Sequence, residues 1–154
     1  MRPMWWRRAR YVLALVGLCA LATVPIAKRG CTAKARAREA DQLLDYLGDR
    51  VADAVTATGK VPPAPAGPTP AQGCCDQGGA CAPDAATWDT PGWRALGFSI
   101  DGDYRYTYQY LPDPDGAGAT VRATADLDCT GATSTVELHL AVKDRAVQRT
   151  WTRK

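Results

Sequence analysis

The sequence predicts an α+β protein in which an N-terminal membrane helix leads into an amphipathic helix, and this second helix packs on a four-stranded antiparallel meander. Three observations predict this class. Residues 11–27 are apolar and uncharged, residues 31–59 carry a helical apolar stripe, and most of 103–153 alternates between apolar and polar residues. A chain of 154 residues has room for one modest domain plus appendages.

The N-terminal part predicts a membrane anchor. Residues 1–10 form a basic segment, and the run 11–27 would span roughly 25 Å as a helix, close to the roughly 30 Å of a hydrocarbon core. Trp5 and Trp6 would lengthen this span at the interface. The arginines of the basic segment favour a cytoplasmic N-terminus. We therefore expect a single-pass inner-membrane protein whose remaining chain lies in the periplasm or on the cell surface.

A cleavable signal peptide is the alternative interpretation of 11–27. The tripeptide Ala20-Leu21-Ala22 matches the small-x-small cleavage pattern after a short apolar core. Under either interpretation the chain that follows is exported into a compartment where disulfides form and persist.

Export changes the interpretation of the four cysteines Cys74, Cys75, Cys81 and Cys129, which we expect to form two disulfides. A bond between the adjacent Cys74 and Cys75 is sterically awkward. Two schemes remain open, and each joins Cys129 to one of these neighbours and Cys81 to the other. A zinc site is the rival interpretation, but the CC-x5-C spacing lacks paired CxxC knuckles.

Residues 31–59 predict an amphipathic helix that ends near Gly59, with Gly48 as a candidate bend. Its apolar stripe consists of Ala40, Leu43, Leu44, Leu47, Val51, Ala54 and Val55. Residues 60–87 are expected to form a Pro-rich and Cys-rich loop, because the prolines of 62–73 disfavour regular structure. We expect Trp88, Trp93, Leu96 and Phe98 to pack at the edge of the core rather than to form a ligand platform.

Residues 88–154 predict the antiparallel sheet domain, with strands at 103–111, 119–127, 133–142 and 145–153. The residues expected to face the core are Tyr104, Tyr106, Tyr108, Tyr110, Val121, Ala123, Ala125, Leu127, Val136, Leu138, Leu140 and Val142. Glu137 and His139 are expected to point outward. The helix within 31–59 has the apolar stripe needed to cover the core side of this sheet.

The order of these elements resembles the type IV pilin and pseudopilin architecture. The local match covers 88–138, where "PGWRALGF", "DYRYTYQY" and "VRATADLDCTGATSTVEL" are similar to the C-terminal half of pilin-like proteins of the myxobacterial type. The matching positions are Trp93, Leu96-Gly97-Phe98, Tyr104, Tyr106, Tyr108, Ala125-Asp126-Leu127-Asp128, Gly131 and Ser134-Thr135-Val136. The resemblance implies a pilin-like fold and implies partners among pilin-like subunits or the pilus or secretion machinery, reached through the N-terminal helix.

The N-terminus departs from that family. Pilins carry a Gly-Phe-Thr-Leu-Ile-Glu-like junction for a prepilin peptidase, whereas this chain has no glutamate before Glu39. The sequence therefore describes a pilin-like domain on an ordinary signal anchor.

The motif Asp126-x-Asp128-x-Thr130-Gly131 partly matches a calcium loop. Calcium takes six to eight oxygens, and Thr130 replaces the third acidic residue. Further oxygens would have to come from neighbouring loops that carry Asp101, Asp103, Asp113 and Asp115. The competing interpretation is a turn in which the aspartates accept hydrogen bonds from backbone amides. No other cofactor is expected.

Nothing in the sequence predicts an enzyme. His139 is the single histidine, and the sequence does not show the second titratable partner that a catalytic role would need. Nucleic-acid binding is also not expected, because the stretch 74–128 is rich in Asp and contains no Lys.

Two functions follow as expectations. The first is a membrane-anchored pilin- or pseudopilin-like subunit of a surface appendage or secretion pseudopilus. The second is an exported, disulfide-stapled binding module that does not assemble into a fibre.

Overall fold

Residues 38–154 are described by a computed structural model, and the first element is helix α1 at 38–58. The strands are β1 (Ala66–Thr69), β2 (Thr107–Pro112), β3 (Gly118–Ala125), β4 (Ser134–Lys143) and β5 (Ala146–Arg153). A 3₁₀ turn at Cys74–Gln77 and the short helices α2 (Ala85–Trp88) and α3 (Pro91–Leu96) lie between β1 and β2. Residues 38–154 cluster as one unit, so the segments 60–87 and 88–154 contribute to a shared core.

The strands form one antiparallel sheet in the order β1-β2-β3-β4-β5. Each strand pairs with its neighbour in the chain, as expected for a meander. The hairpin between β4 and β5 turns through Asp144 and Arg145, which both have positive φ angles of 52° and 61°. Two central residues of this kind give a turn whose twist matches the flanking strands.

The prediction of a four-stranded sheet is wrong, because β1 lies inside the Pro-rich segment that was expected to lack regular structure. Ala66 is in register with Tyr110 and Thr69 with Tyr108, with an irregularity between the two pairs. An edge strand needs backbone partners on one side only, so it tolerates prolines that an inner strand would exclude.

Local signals account for the short helices α2 and α3, which were not predicted from the sequence. Asp84 caps α2, since its carboxylate accepts hydrogen bonds from the Ala86 N–H and the Thr87 hydroxyl. α3 has Pro91 in its first turn and ends at Gly97, which adopts the left-handed conformation and donates its N–H to the last turn.

Helix α1 covers one face of the sheet, called here the core face. The residues of its stripe at 40, 44, 47, 51 and 55 are fully buried, which confirms the predicted orientation of the helix. The core-face residues of β2, β3 and β4 are buried against them, and these include Tyr108, Tyr110, Val121 and Leu138. The opposite face, called the open face, carries polar side chains.

Gly48 controls how closely α1 approaches the sheet. A Cβ atom at this position would lie 3.0 Å from Leu138 Cδ2 and 3.3 Å from Arg149 Cζ. The glycine predicted as a candidate bend therefore allows close contact between the helix and the sheet, and a Cβ atom there would require the Leu138 or Arg149 side chain to shift.

Aromatic side chains fill the core between α1, α2, α3 and the sheet. Trp88 packs against Trp93, Phe98 and Tyr104, with ring centroids 5.4, 5.4 and 5.6 Å apart. Trp93 is fully buried, and its Nε1 donates to Thr69 Oγ1 over 2.7 Å. The prediction that these aromatics pack in the core is confirmed.

The predictions for 1–10, for the anchor at 11–27 and for the first turns of the helix at 31–37 lie outside the described residues. Within 38–154, none of the helices has the length and apolar character needed to cross a membrane.

Candidate functional site

The four cysteines of the described region form two disulfides, Cys74–Cys81 and Cys75–Cys129. The prediction of two disulfides is confirmed, and the structure selects one of the two schemes that the sequence left open. Cys74 and Cys81 are buried, with 4% and 1% of their surfaces exposed, whereas Cys129 is exposed. The second bond ties the turn between β3 and β4 to the 3₁₀ turn at Cys74–Gln77.

The turn at 126–131 is held by its own carboxylates. Asp126 accepts hydrogen bonds from the Thr130 N–H over 3.1 Å and the Gly131 N–H over 2.7 Å. Asp128 accepts from the Thr130 hydroxyl over 2.8 Å, and this bond is the main reason why the pKa of Asp128 is lowered. These contacts are the ones expected of the turn interpretation.

The calcium interpretation has few ligands available in this geometry. Asp113 and Asp115 lie at the opposite end of β3 from the 126–131 turn, so the expectation that they supply oxygens is wrong. Within 38–154, no group of three or more His, Cys, Asp or Glu side chains is placed to hold a metal ion. Calcium binding by Asp126 and Asp128 stays a prediction.

The open face carries a row of linked polar side chains that runs across four strands. Arg122 on β3 donates from Nε to Glu137 Oε1 on β4 over 2.6 Å, and from Nη1 to Gln109 Oε1 on β2 over 3.5 Å. The Thr152 hydroxyl of β5 donates to Glu137 Oε2 over 3.3 Å, and Lys154 Nζ lies 3.6 Å from the same oxygen. We call this set the polar row.

Glu137 is the centre of the polar row. It points away from the core as predicted, yet its side chain is only 7% exposed, because its cross-strand neighbours cover it. The hydrogen bond from Arg122 lowers the pKa of Glu137 and overcomes the opposing effect of burial. A buried carboxylate on an otherwise polar face is therefore held as an anion.

His139 joins the same face beside Glu137. Its Nδ1 lies 3.1 Å from Thr120 Oγ1, and its Nε2 lies 3.1 Å from Thr152 Oγ1. Glu137 Oε2 is 3.7 Å from Nε2, so the structure places beside His139 a titratable neighbour that the sequence did not indicate. Both ring nitrogens are engaged by threonine hydroxyls, an arrangement that orients the imidazole on the sheet surface.

A shallow depression lies beside α2 and α3, away from the polar row. Its lining includes the aromatic residues Trp88, Trp93 and Phe98 and the polar residues Asp89, Arg94 and Ser99. Trp88 Nε1 is buried without a hydrogen-bond partner. The indole rings are almost completely buried, so their faces are not presented for stacking against a ligand.

Sequence reasoning missed the polar row because it depends on register. Alternation places Arg122 and Glu137 on the same face, but only the pairing of β3 with β4 places them directly opposite each other. The turn between β3 and β4 sets this register. It is therefore the feature of the sequence that could have indicated that Arg122 and Glu137 lie opposite each other.

Comparisons of the chain with protein-family models, with curated proteins and with solved structures find no match.

Proposed function

We propose that this chain is a membrane-anchored, pilin- or pseudopilin-like structural subunit whose domain at 38–154 lies outside the inner membrane, in a surface appendage or secretion pseudopilus. The observation that carries the proposal is the arrangement of α1, a single long helix laid along one antiparallel meander, in a chain whose preceding sequence contains the apolar run 11–27.

Contacts near the two ends of α1 support this proposal. Near its first described turn, Glu39 accepts a hydrogen bond from the Arg105 N–H over 2.7 Å and another from the Tyr108 hydroxyl over 3.3 Å. Just beyond its last turn, the Val61 N–H donates to the Gly116 carbonyl over 3.2 Å. A helix fixed at both ends to the sheet is suited to act as the stem of a subunit, because the domain cannot pivot about it.

The disulfides support placement of the domain outside the cytoplasm. Two bonds between four cysteines are typical of exported proteins and are rare where thiols are kept reduced.

The second candidate function, an exported binding module that enters no fibre, is favoured by the polar row. Side chains that are already ordered by cross-strand hydrogen bonds lose little conformational entropy when a ligand binds. The open face would then recognise a polar partner through Arg122, His139 and Lys154.

N-terminal mass analysis of the native full chain tests the first function against the second. A cut and methylated residue near the start of 11–27 is the expected result for a subunit that enters a fibre. An intact N-terminus, or one cut after Ala22, would overturn fibre assembly and favour the binding module.

Membrane fractionation tests the anchor separately. Leu18→Arg places a charge at the middle of the apolar run and should release the full chain from membranes, because a central charge costs about 2.5–3.5 kcal/mol on insertion scales. Leu18→Ile is the matched control and should remain with the membrane. Equal behaviour of the two variants would contradict the anchor.

A further inference from the structure

The two edges of the sheet differ in whether they can accept another strand. β1 has four residues and an irregular register, and Pro68 and Pro70 remove backbone donors from this edge. α3 packs against β1 so closely that a Cβ atom on Gly92 would collide with the Pro65 carbonyl. The β1 edge is therefore blocked.

β5 has none of these protections. It has eight residues, it contains neither proline nor glycine, and its register with β4 is continuous from Ala146 to Arg153. A long, regular edge strand presents unpaired N–H and C=O groups on which another strand can add.

The register defines which backbone groups point outward. Thr135 and Lys154 exchange both backbone hydrogen bonds, so they form a hydrogen-bonded pair. Because such pairs alternate along an antiparallel ladder, Thr152, Thr150 and Gln148 also direct their backbone groups to β4. The residues between them direct their N–H and C=O groups to the edge, and these are Val147, Arg149, Trp151 and Arg153.

We propose that the β5 edge pairs with the β5 edge of a second copy of this chain, antiparallel and about a two-fold axis at Thr150. Since the β1 edge is blocked, two copies can join their sheets only through the same strand, which gives a closed, self-complementary contact. In this register Arg149 lies opposite Trp151 of the other copy, and Val147 lies opposite Arg153. Each of these pairs can exchange both backbone hydrogen bonds.

Charge selects this register over its neighbours. A two-fold axis at Trp151 would place Arg149 opposite Arg153, and an axis at Arg149 would place two copies of that arginine opposite each other; like charges directly opposite are destabilising. The axis at Thr150 avoids both arrangements. It also places Arg149 of the other copy beside the indole of Trp151, which is 37% exposed in the isolated chain and has Arg153 Cζ of its own copy 5.9 Å from its ring centroid.

Ion pairs within each copy reduce the repulsion between the two edges. Arg149 binds Asp45 over 2.6 Å and Asp49 over 2.5 Å, and Arg153 binds Asp41 over 2.8 Å. The charges of the β5 arginines are thus partly balanced by carboxylates on α1 of the same copy. An acidic foreign strand would gain little at this edge, and a second copy meets a reduced repulsion that is smallest when the arginines do not lie directly opposite each other.

Site-directed disulfide formation in the full chain tests the pairing. The background variant carries Cys19→Ser and Cys31→Ser, which removes the two cysteines outside the described disulfides. At a two-fold axis the residues at position 150 form a non-hydrogen-bonded pair with Cα atoms about 4.5 Å apart, a separation that a disulfide can bridge. Thr150→Cys should therefore give a covalent dimer on mild oxidation, and peptide mapping should find the bond between the two introduced cysteines.

Gln148→Cys is the matched control, because it lies on the same strand and face but would sit opposite Thr152 of the other copy. Its two sulfurs would be too far apart to join, so we expect at least about tenfold less dimer than with Thr150→Cys. Equal yields from both variants would indicate random collision and overturn the proposal. Capture of a different protein by Thr150→Cys, in place of the second copy, would overturn it in favour of a foreign strand.

A blocking substitution provides an independent measurement. Trp151→Pro removes an outward N–H and leaves the ladder to β4 intact, so it should reduce the Thr150→Cys dimer to the Gln148→Cys level. Retention of both native disulfides by mapping would verify the fold of this variant. An undiminished dimer in a folded Trp151→Pro variant would contradict edge pairing. Edge pairing concerns 38–154 alone and would occur whether or not the chain enters a fibre, so it can fail independently of the proposed function.

Discussion

On its core face the sheet is covered by helices and large aromatic rings, whereas on its open face side chains cover one another through hydrogen bonds and ion pairs. Trp93 is buried because Trp88, Phe98 and strand β1 pack around it. Glu137 is buried because Arg122 and Thr152 reach across from neighbouring strands. The first kind of burial depends on volume, and the second depends on charge and register. The two faces should therefore respond differently to substitution and to pH.

The largest effect is expected on the core face. Trp93→Ala should lower the free energy of unfolding by about 3–5 kcal/mol, because it removes a fully buried ring and leaves a cavity. Urea unfolding with the disulfides intact measures this change. The half-exposed Trp151 is the matched position, and Trp151→Ala should cost much less. Similar losses at the two tryptophans would contradict the assignment of the core.

The open face should show an asymmetry between the two members of its central ion pair. Arg122→Met should cost about 1–3 kcal/mol, because it leaves the nearly buried carboxylate of Glu137 without its strongest donor. Glu137→Gln should cost less, because the Arg122 side chain is 38% exposed and can turn to water. Urea unfolding of both variants measures the difference, and a larger loss in Glu137→Gln would contradict the burial of the carboxylate.

The stability that the open face contributes should also depend on pH, because its central residue Glu137 is ionisable. The folded pKa of Glu137 is lowered from its ordinary value of 4.5, chiefly by the Arg122 hydrogen bond. The stability gained from the ionised carboxylate is therefore complete above about pH 5 and is lost as the pH falls through the folded pKa. The stability difference between the natural chain and Glu137→Gln should shrink between about pH 7 and about pH 3. A difference that is constant over this range would contradict the lowered pKa.

The smallest effect is expected at His139. His139→Ala removes contacts with the Thr120 and Thr152 hydroxyls from a partly exposed site, so it should cost about 0.5–1.5 kcal/mol. The melting temperature at neutral pH, measured against the exposed Lys143→Ala as a surface control, detects this change. A loss of stability as large as that of Trp93→Ala would contradict the placement of His139 at a partly exposed site.

The alternation of apolar and polar residues predicts the core face well. For residues 104, 106, 108 and 110, this alternation alone is enough to assign the side chains to the core. The same alternation predicts the open face poorly. The outward direction of Glu137 follows from alternation, but its burial arises from residues on other strands, and their positions depend on register. β1 was missed for a different reason, since its prolines argue against a strand unless the strand is known to be at an edge. The choice between two disulfide schemes likewise required the distance between Cys75 and Cys129 in space.

The Cys75–Cys129 bond limits how far this protein can be stretched. If force is applied at the two ends of the chain, load passes directly from residue 75 to residue 129, so β2 and β3 carry none of it. At roughly 3.3–3.6 Å per residue, the separation of 54 residues corresponds to about 180–195 Å of contour length that cannot be extended while the bond is intact. Only the chain on either side of this covalent loop, including α1 and β5, can be drawn out. An intact Cys75–Cys129 bond therefore reduces the maximum length to which the chain can be extended.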